Sequence, residues 1–268
     1  MSERPKIGLA LGSGSARGLA HIGVLEVFEE NGIPVDMVAG SSMGAFVGAI
    51  YATGASARMI HGIATQLCTM EYRKLFDVTI PRTGFIRGQR ADAIIRTITG
   101  DRRIEDLKLP YSCVSTCLED GISHVFKTGK VADAVRASIS IPGVFEPVTI
   151  DGKTYVDGGV LDRIPAGVVR DMGADIVIAV DVGFQGGNRT TPKNIMDVLL
   201  SSYELLEWEV MRTRQASADV VITPQGLNIS SSSFNQIEAF VTVGREAALA
   251  ALDEIKLKLA TAGVEVGA

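Results

Sequence analysis

Cysteine and runs of like charge are scarce in this sequence. The chain has three cysteines among 268 residues, and the spacing of Cys68, Cys113 and Cys117 matches no zinc motif, so we expect free thiols, a reducing compartment and no metal site. The formal net charge is -5 and no long basic block occurs, which argues against a nucleic-acid partner. The first residues lack the apolar core of a signal peptide, so the sequence predicts a cytoplasmic protein.

Repeats, linkers and low-complexity segments are also absent from the sequence. Apolar residues make up 46% of the chain, which is enough to bury one large core. We therefore predict a single domain over residues 1–268, with its motifs within about 7–182 and a C-terminal strand and helices at 190–262 completing it. The uncharged run over residues 37–57 is rich in glycine and serine, so we interpret it as a strand, a turn and a helix and not as a membrane span.

Strands and helices alternate in the apolar pattern of the chain. A strand at residues 6–11, a glycine loop and a helix at 19–28 come before a second strand and helix. This order predicts a parallel sheet with helices on its faces, which is the α/β class. Farther along, we predict an irregular segment over 140–147, because it contains two prolines, and a long helix over 194–216 with an apolar stripe. The stripe consists of Ile195, Val198, Leu199, Leu205, Leu206 and Val210.

A Gly-x-Ser-x-Gly motif lies between the second strand and its helix. Residues 35–39 form a short apolar run, Gly40, Ser42 and Gly44 form the motif, and an apolar helix pattern follows. A strand, a sharp turn and a helix are the setting of a nucleophile elbow, which would place the serine at the tip. Side chains at the two glycines would collide with neighbouring backbone, and the helix N-terminus favours an anion at the serine. A buried glycine-rich turn without chemistry is the alternative.

The first glycine loop admits two interpretations. Gly12, Gly14 and Gly18 follow a strand and precede a helix, so several backbone N–H groups can face an anion. A dinucleotide fingerprint requires Gly-x-Gly-x-x-Gly, whereas this loop has one more residue before its third glycine, and Asp36 begins the second strand instead of ending it. We favour an oxyanion hole whose amides face the motif serine, with Arg17 bracing the loop.

The base that would activate the serine is an aspartate in this interpretation. The three histidines are His21, His61 and His124, and none follows Asp157, although the common hydrolase order is Ser, Asp and then His. Asp157 ends a predicted strand and is followed by two glycines, so backbone and substrate can come close to it. A carboxylate takes the proton directly when it lies within about 2.6 to 3.2 Å of the hydroxyl, and partial burial raises its pKa toward a useful value. An ordinary turn aspartate before glycines is the alternative.

Several motifs in this order resemble those of the patatin-like phospholipase family, over residues 7–182. The nucleophile motif is Gly40–Gly44, an intervening block covers residues 137–147, and the acid motif is Asp157 with Gly158 and Gly159. The resemblance implies a three-layer α/β/α sandwich with a mostly parallel central sheet. It also implies a Ser42/Asp157 dyad that hydrolyses lipid acyl esters without a cofactor or metal. The glycine-rich oxyanion loop of the resemblance contains Gly12, Ser13, Gly14, Ser15, Arg17 and Gly18.

The oxyanion loop departs from the family's run of glycines at Ser13 and Ser15. If either position requires a positive φ, serine costs on the order of 1 kcal/mol there, because its Cβ crowds the backbone. The resemblance implies that the amides near Gly14 and Ser15 hold the oxyanion.

Three functions are compatible with these motifs. The first is a serine lipid acyl hydrolase of the phospholipase or lysophospholipase type, whose partner is a phospholipid or lysophospholipid. The second is an acyltransferase or thioesterase that uses the same serine, and a preference for thioesters or acceptor alcohols over water would distinguish it. The third is a non-catalytic lipid-responsive regulator, which would bind lipid without turnover.

Residues 72–90 combine basic and apolar side chains. Five arginines and lysines lie there against one acid, Asp77, and they are interleaved with leucine, isoleucine and phenylalanine. Such a segment is typical of a cap that meets a lipid surface, so we expect transient peripheral contact with a membrane. A solvated loop is the alternative.

Reversal of two of these charges, by Arg82→Glu and Arg87→Glu, should lower the fraction of the protein that sediments with anionic vesicles. Each basic residue close to such a surface contributes about 1 kcal/mol to the attraction. Co-sedimentation at low salt measures the effect, and neutral vesicles are the control. Unchanged sedimentation of the double variant would count against membrane contact through this segment.

Overall fold

The computed structural model describes residues 4–69, 77, 83–186, 191–213, 217–225 and 232–264. The strands are β1 (Ile7–Leu11), β2 (Met37–Ser41), β3 (Gly84–Ile86), β4 (Tyr111–Cys117), β5 (Ile122–Phe126), β6 (Gly143–Phe145), β7 (Val148–Ile150), β8 (Lys153–Asp157), β9 (Ile176–Val180) and β10 (Val220–Ile222). The α-helices are α1 (Ala20–Glu30), α2 (Met43–Ala52), α3 (Ala57–Thr69), α4 (Gln89–Thr99), α5 (Val131–Ser138), α6 (Ala166–Asp171), α7 (Ile195–Thr213) and α8 (Ile237–Thr261).

The central sheet has eight strands, seven of which follow the order β10-β9-β1-β2-β4-β8-β7, while β5 also pairs with β4. The four pairings from β10 to β4 are parallel, and those of β8 with β4 and β7, like that of β5 with β4, are antiparallel. Parallel strands bring their carboxyl ends to one edge, so the segments after β1 and β2 are neighbours. The sheet is therefore mixed: the parallel part that the sequence predicts extends from the edge strand β10 to β4, and the antiparallel pairings begin at β4.

Helices cover both faces of this sheet. Ile7, Leu9 and Leu11 of β1 are fully buried in the larger core, which they share with side chains of α1, α2, α3 and α8. Ala10 faces the other way and packs with Val177 of β9 and with α6. Because successive side chains of a strand point to opposite faces, each strand contributes to both cores. The three-layer α/β/α arrangement implied by the family resemblance is confirmed.

The uncharged run over residues 37–57 contains β2, the turn after it, α2 and the first residue of α3. Within the described helices, none combines the length and the apolar character that crossing a bilayer requires. Of the basic segment over 72–90, residues 72–76 and 78–82 lie outside the described residues. In its described part, Ile86 is buried with Val144 and Phe145 in a small cluster.

The prediction of an irregular segment over residues 140–147 is wrong for its centre. Gly143–Phe145 forms β6, which pairs in parallel with β3 as a separate two-stranded sheet. The two prolines, Pro142 and Pro147, flank these residues, so the N–H groups between them remain available for pairing. The Glu146 amide also donates to the Ile86 carbonyl at 2.8 Å.

The apolar stripe predicted for the long helix does not face the core. Ile195 and Leu206 of α7 are 67% and 68% exposed, and Val198 and Leu205 are exposed as well. The buried side of α7 instead carries Leu200 together with two acids, Glu204 and Glu207. Acidic side chains are buried only when they have partners, and both have them here. These partners belong to the glycine loop after β1.

Helices α1 and α8 touch through glycine. A Cβ on Gly23 of α1 would lie 2.1 Å from the carbonyl oxygen of Val241, and one on Gly244 of α8 would lie 2.0 Å from that of Ala20. Real Cβ atoms do not approach backbone oxygens so closely, so the two helices could not keep their separation with any side chain at these positions.

Gly23→Ala should therefore lower the free energy of unfolding by about 1–3 kcal/mol, although alanine is the better helix former. Gly62→Ala in α3 is the matched control, because a Cβ on Gly62 has no atom within 4 Å. The control variant should gain up to about 1 kcal/mol through helix propensity alone. Chemical denaturation measures both, and equal changes of the same sign would contradict the close contact.

Candidate active site

Ser42 lies at the turn between β2 and α2 with a backbone of φ 54° and ψ -121°. A positive φ is strained for serine and persists only where the surroundings hold it. Here Gly40 and Gly44 let the backbones meet, since a Cβ on them would lie 2.4 Å from the Gly44 carbonyl and 2.1 Å from the Leu11 carbonyl, respectively. The Ser42 amide also donates to Ser138 Oγ at 2.8 Å. The turn has the geometry that the nucleophile motif predicts.

Ser42 and Asp157 are 115 residues apart in sequence and in contact in the structure. Ser41 of β2 pairs with Val114 of β4, and the next residue of β4, Ser115, pairs with Asp157 of β8, so the register brings both to one level of the sheet. Ser42 Oγ donates to Asp157 Oδ2 over 2.6 Å. This distance is that of a hydrogen bond to an ionised carboxyl group.

The carboxyl group of Asp157 is completely buried. Its second oxygen, Oδ1, accepts hydrogen bonds from the Gly159 amide at 2.8 Å and from the Tyr203 hydroxyl at 3.0 Å. Burial raises the pKa of Asp157 from 3.8 to about 6, and the hydrogen bonds from Ser42, Gly159 and Tyr203 counteract part of this rise. A carboxyl group with such a pKa is ionised at neutral pH and accepts a proton more readily than an ordinary aspartate.

The glycine loop after β1 contains backbone amides that donate to no acceptor in the part of the chain that the structure describes. The Gly12 amide donates to the Val180 carbonyl and the Ser13 amide to the Arg163 carbonyl, which fixes the start of the loop. Within the described residues, the amides of Gly14 and Ser15 donate to no acceptor. They begin the 3-10 turn at Ser15–Leu19, where the first N–H groups have no partner in the turn.

Of the two serines that replace glycines in the loop, Ser15 has the positive φ, 51°. This backbone costs energy for serine and keeps its amide at the start of the turn. Ser13 contributes through its side chain, because its hydroxyl donates to Glu207 Oε1 over 2.5 Å.

Arg17 and His21 hold the loop from two sides. Arg17 Nη2 lies 2.6 Å from Glu204 Oε1 of α7, and both side chains are buried. His21 Nε2 lies 2.8 Å from the Gly12 carbonyl, to which it must donate. Burial lowers the pKa of His21 to about 4, so the ring is neutral at pH 7. Its contact with the loop backbone is structural.

The other two histidines have partners elsewhere. His61 bridges Glu26 and Glu238, and His124 packs against the rings of Phe126 and Tyr155. Asp36, the acid compared above with the dinucleotide fingerprint, accepts a hydrogen bond from the Ile7 amide and pairs with Arg4.

An apolar cavity of about 270 Å³ opens beside Ser42. Its walls come from α2, α3, α4 and α7 and from the segment around β6, and Phe46, Leu67, Ile94, Phe145 and Leu200 are among them. Both Ser42 and Ser15 line the cavity, so the elbow and the glycine loop face the same space. A cavity with these walls can hold a hydrocarbon chain with one end at the serine.

Sequence reasoning missed the contribution of α7 to this site. Tyr203, Glu204 and Glu207 lie within one helical turn and point toward Asp157, Arg17 and Ser13, respectively. The signal was present in the sequence as a tyrosine and two acids that share one side of the helix, but the leucines on the other side suggested the opposite orientation. Elsewhere, within the described ranges, no group of three His, Cys, Asp or Glu side chains could hold a metal.

A family model described as patatin-like phospholipase matches residues 9–170 of this chain. The strand–elbow–helix turn that carries Ser42 and the acid at the end of β8 both lie within that range. The chain belongs to the patatin-like phospholipase family.

Curated relatives agree with this membership. An uncharacterized NTE family protein of Mycobacterium tuberculosis is 41% identical over 181 residues, which is 68% of this chain and 50% of that protein. Patatin-like phospholipase domain-containing protein 6 of Homo sapiens is 41% identical over 184 residues, 67% of this chain and 13% of that protein. Lysophospholipase NTE1 of Meyerozyma guilliermondii is 37% identical over 203 residues, which is 75% of this chain and 14% of that protein. The chain thus spans half the length of the first of these relatives and a smaller share of the others.

Among solved structures, that of VipD from Legionella pneumophila resembles this fold with a TM-score of 0.56. The match covers 94% of this chain and 67% of that chain at 15% sequence identity. At this identity the likeness concerns the fold alone.

Asp157→Asn should raise the free energy of unfolding relative to the wild type. The gain should grow by about 1 kcal/mol between roughly pH 5 and pH 8. The buried carboxyl group has a pKa of about 6 in the folded protein, above its ordinary 3.8. Stability that depends on its protonated form is therefore lost as the pH rises through this range, and asparagine has no proton to lose. Urea denaturation at both pH values measures the difference, and a gain independent of pH would contradict the raised pKa.

Proposed function

We propose that this protein is a serine hydrolase of lipid acyl esters, of the phospholipase or lysophospholipase type, in which Ser42 is the nucleophile and Asp157 the base. The observation that carries the proposal is the 2.6 Å hydrogen bond from Ser42 Oγ to Asp157 Oδ2 at the end of an apolar cavity. The family and the names of the relatives support a lipid ester as the substrate.

In the first step, Ser42 Oγ attacks the acyl carbonyl carbon while its proton passes to Asp157 Oδ2. The carbonyl π electrons move to oxygen and form a tetrahedral oxyanion. When this intermediate collapses, the bond to the alcohol oxygen breaks, and the alcohol leaves with the proton from Asp157. The acyl group remains bound to Ser42 as an ester, as in other serine hydrolases.

In the second step, water attacks the acyl carbon and gives a proton to Asp157. Collapse of the second tetrahedral intermediate returns that proton to Ser42 Oγ and releases the fatty acid. Asp157 thus acts as base and acid in turn, and its pKa of about 6 suits both roles near neutral pH.

The oxyanion would be held by the amides of Gly14 and Ser15. Neither amide has an acceptor within the described residues, and Ser15 lines the cavity together with Ser42. Helix α2 begins directly after Ser42, so its positive end also faces the developing charge. Donors fixed in advance in this way stabilise a transition state by several kcal/mol.

The cavity supports an acyl chain as the group that enters the site, since its walls are almost entirely apolar. The head group would then lie outside the cavity. On its sequence alone, the basic segment over residues 72–90 stays a candidate for peripheral contact with a lipid surface. We also propose that residues 1–268 act as one domain, because β10 joins the central sheet and α8 covers it. The cytoplasmic location stays a prediction.

A fluorophosphonate probe should label the wild type on Ser42, and Asp157→Asn should lower the turnover of a short-chain ester by about 10²–10⁴-fold, because proton transfer loses its base. Mass spectrometry locates the adduct, and a chromogenic ester reports the turnover.

Ser41→Ala is the matched control for the labelled serine. Ser41 Oγ is buried, and within the described residues it has no hydrogen-bond partner, so its loss should leave the label on Ser42. An adduct elsewhere, or an Asp157→Asn variant with the full esterase rate, would refute the pair.

A further inference from the structure

A second buried acid, Glu207, lies next to the Ser42–Asp157 pair and has no part in the steps above. Glu207 of α7 is 3% exposed. Tyr203, one helical turn earlier, donates to Asp157 Oδ1 over 3.0 Å, and its hydroxyl oxygen lies beside Gly159 together with Glu207 Oε1. A chain of contacts therefore runs from Ser42 through Asp157 and Tyr203 to Glu207. Its last two members lie beyond the residues 9–170 that the family model matches.

The hydrogen bond from Tyr203 to Asp157 bears on the protonation state of Glu207. A phenol hydroxyl has a single hydrogen, and Tyr203 directs it to Asp157. The phenol oxygen can then only accept, and an ionised carboxylate can also only accept, so a favourable contact between the two needs a hydrogen on Glu207. A protonated Glu207 is the state that fits a Tyr203 donating to an ionised Asp157.

The electrostatic surroundings of Glu207 favour the same protonation state. Burial, followed by the negative charge of Asp157, raises the pKa of Glu207 to about 8, and Glu204 has a smaller effect in the same direction. Burial also raises the pKa of Tyr203 well above its ordinary value, so the phenol keeps its hydrogen.

Two groups oppose this rise without cancelling it. The hydrogen bond from Ser13 and the positive charge of Arg163 both lower the pKa of Glu207. Arg163 is paired with Asp181, and the nearby Arg17 is paired with Glu204, so both cations have carboxylates of their own.

Gly159 has no side chain, and this leaves the space in which Glu207, Ser13 and Tyr203 lie close together. A Cβ at this position would lie 1.8 Å from Glu207 Oε1, 2.7 Å from Ser13 Oγ and 2.8 Å from the Tyr203 hydroxyl oxygen. The second glycine of the acid motif therefore gives the polar side chains of α7 the room they need. Ser13 contributes to the same group of contacts, because its hydroxyl donates to Glu207, and a glycine at position 13 would lack this hydroxyl.

We propose that Tyr203 and Glu207 are positioning residues for Asp157, an inference that rests on the function proposed for the Ser42–Asp157 pair. Protonated Glu207 donates to Tyr203, and Tyr203 donates to Asp157 Oδ1. This oxygen is then occupied by two donors, the Tyr203 hydroxyl and the Gly159 amide. Oδ2 is left as the atom that exchanges a proton with Ser42.

The pH profile of kcat/KM for ester hydrolysis tests the assignment. Tyr203→Phe removes a hydrogen bond to the ionised carboxylate, so the acid limb should move to higher pH by about one unit. Glu207→Gln keeps a donor for Tyr203 and an acceptor for Ser13 and removes no charge if Glu207 is protonated, so the limb should stay in place. An unmoved limb in Tyr203→Phe, or a limb moved to lower pH in Glu207→Gln, would overturn the proposal.

Tyr155→Phe and Glu209→Gln are the matched controls. Tyr155 packs with the rings of His124 and Phe126, and Glu209 is an exposed acid on the same helix as Glu207. Neither variant should move the limb. A shift as large as that of Tyr203→Phe would show that the limb reports a general change of the protein, and the assignment would fall.

A spectroscopic readout does not depend on turnover. The infrared difference between the wild type and Glu207→Gln at neutral pH should contain the carbonyl band of a protonated carboxylic acid, and glutamate labelled with carbon-13 identifies it. A carboxylate band in its place would overturn the proposal. If the wild type hydrolyses no ester, the proposed function fails, and the spectrum still tells whether Glu207 holds its proton.

Discussion

The burial of one carboxyl group beside one hydroxyl group is the constraint on which the rest of this structure depends. Asp157 has no access to water, and its oxygens are satisfied by Ser42, Gly159 and Tyr203. An ionised group in such a place requires donors on both oxygens, because the protein must replace the water it excludes. The antiparallel direction of β8, the glycines after it and the polar side of α7 all supply or permit these donors.

The nucleophile turn and the acid motif could be predicted because their signals are local. Gly40 and Gly44 are required by the close approach of neighbouring backbones, and this requirement leaves its mark within five residues of sequence. The order of strands and helices was likewise predictable from periodicity. The strand Gly143–Phe145 could not be predicted in this way. Its pairing with β3 joins segments about sixty residues apart, and the adjacent prolines suggested an irregular segment.

The role of α7 could not be predicted from its own pattern. The pattern of apolar residues such as Leu206 predicted that their side of the helix is buried, but these side chains are exposed. The side that is buried carries Glu204 and Glu207. Burial of these acids makes sense only together with Arg17 and Ser13, which lie almost two hundred residues earlier. Hydropathy treats each residue alone, so it assigns acids to the surface even where a distant partner compensates the loss of water. The serine at position 13 was visible as a departure from a run of glycines, but its partner was not.

Helix α7 belongs to two parts of the site at once. Met196 and Leu200 line the apolar cavity, and Tyr203 follows on the same helix with its hydroxyl on Asp157. One helix therefore contributes both to the wall of the cavity and to the hydrogen bonds of the buried carboxyl group. A substitution that displaced α7 would disturb the space for an acyl chain and the surroundings of the aspartate together.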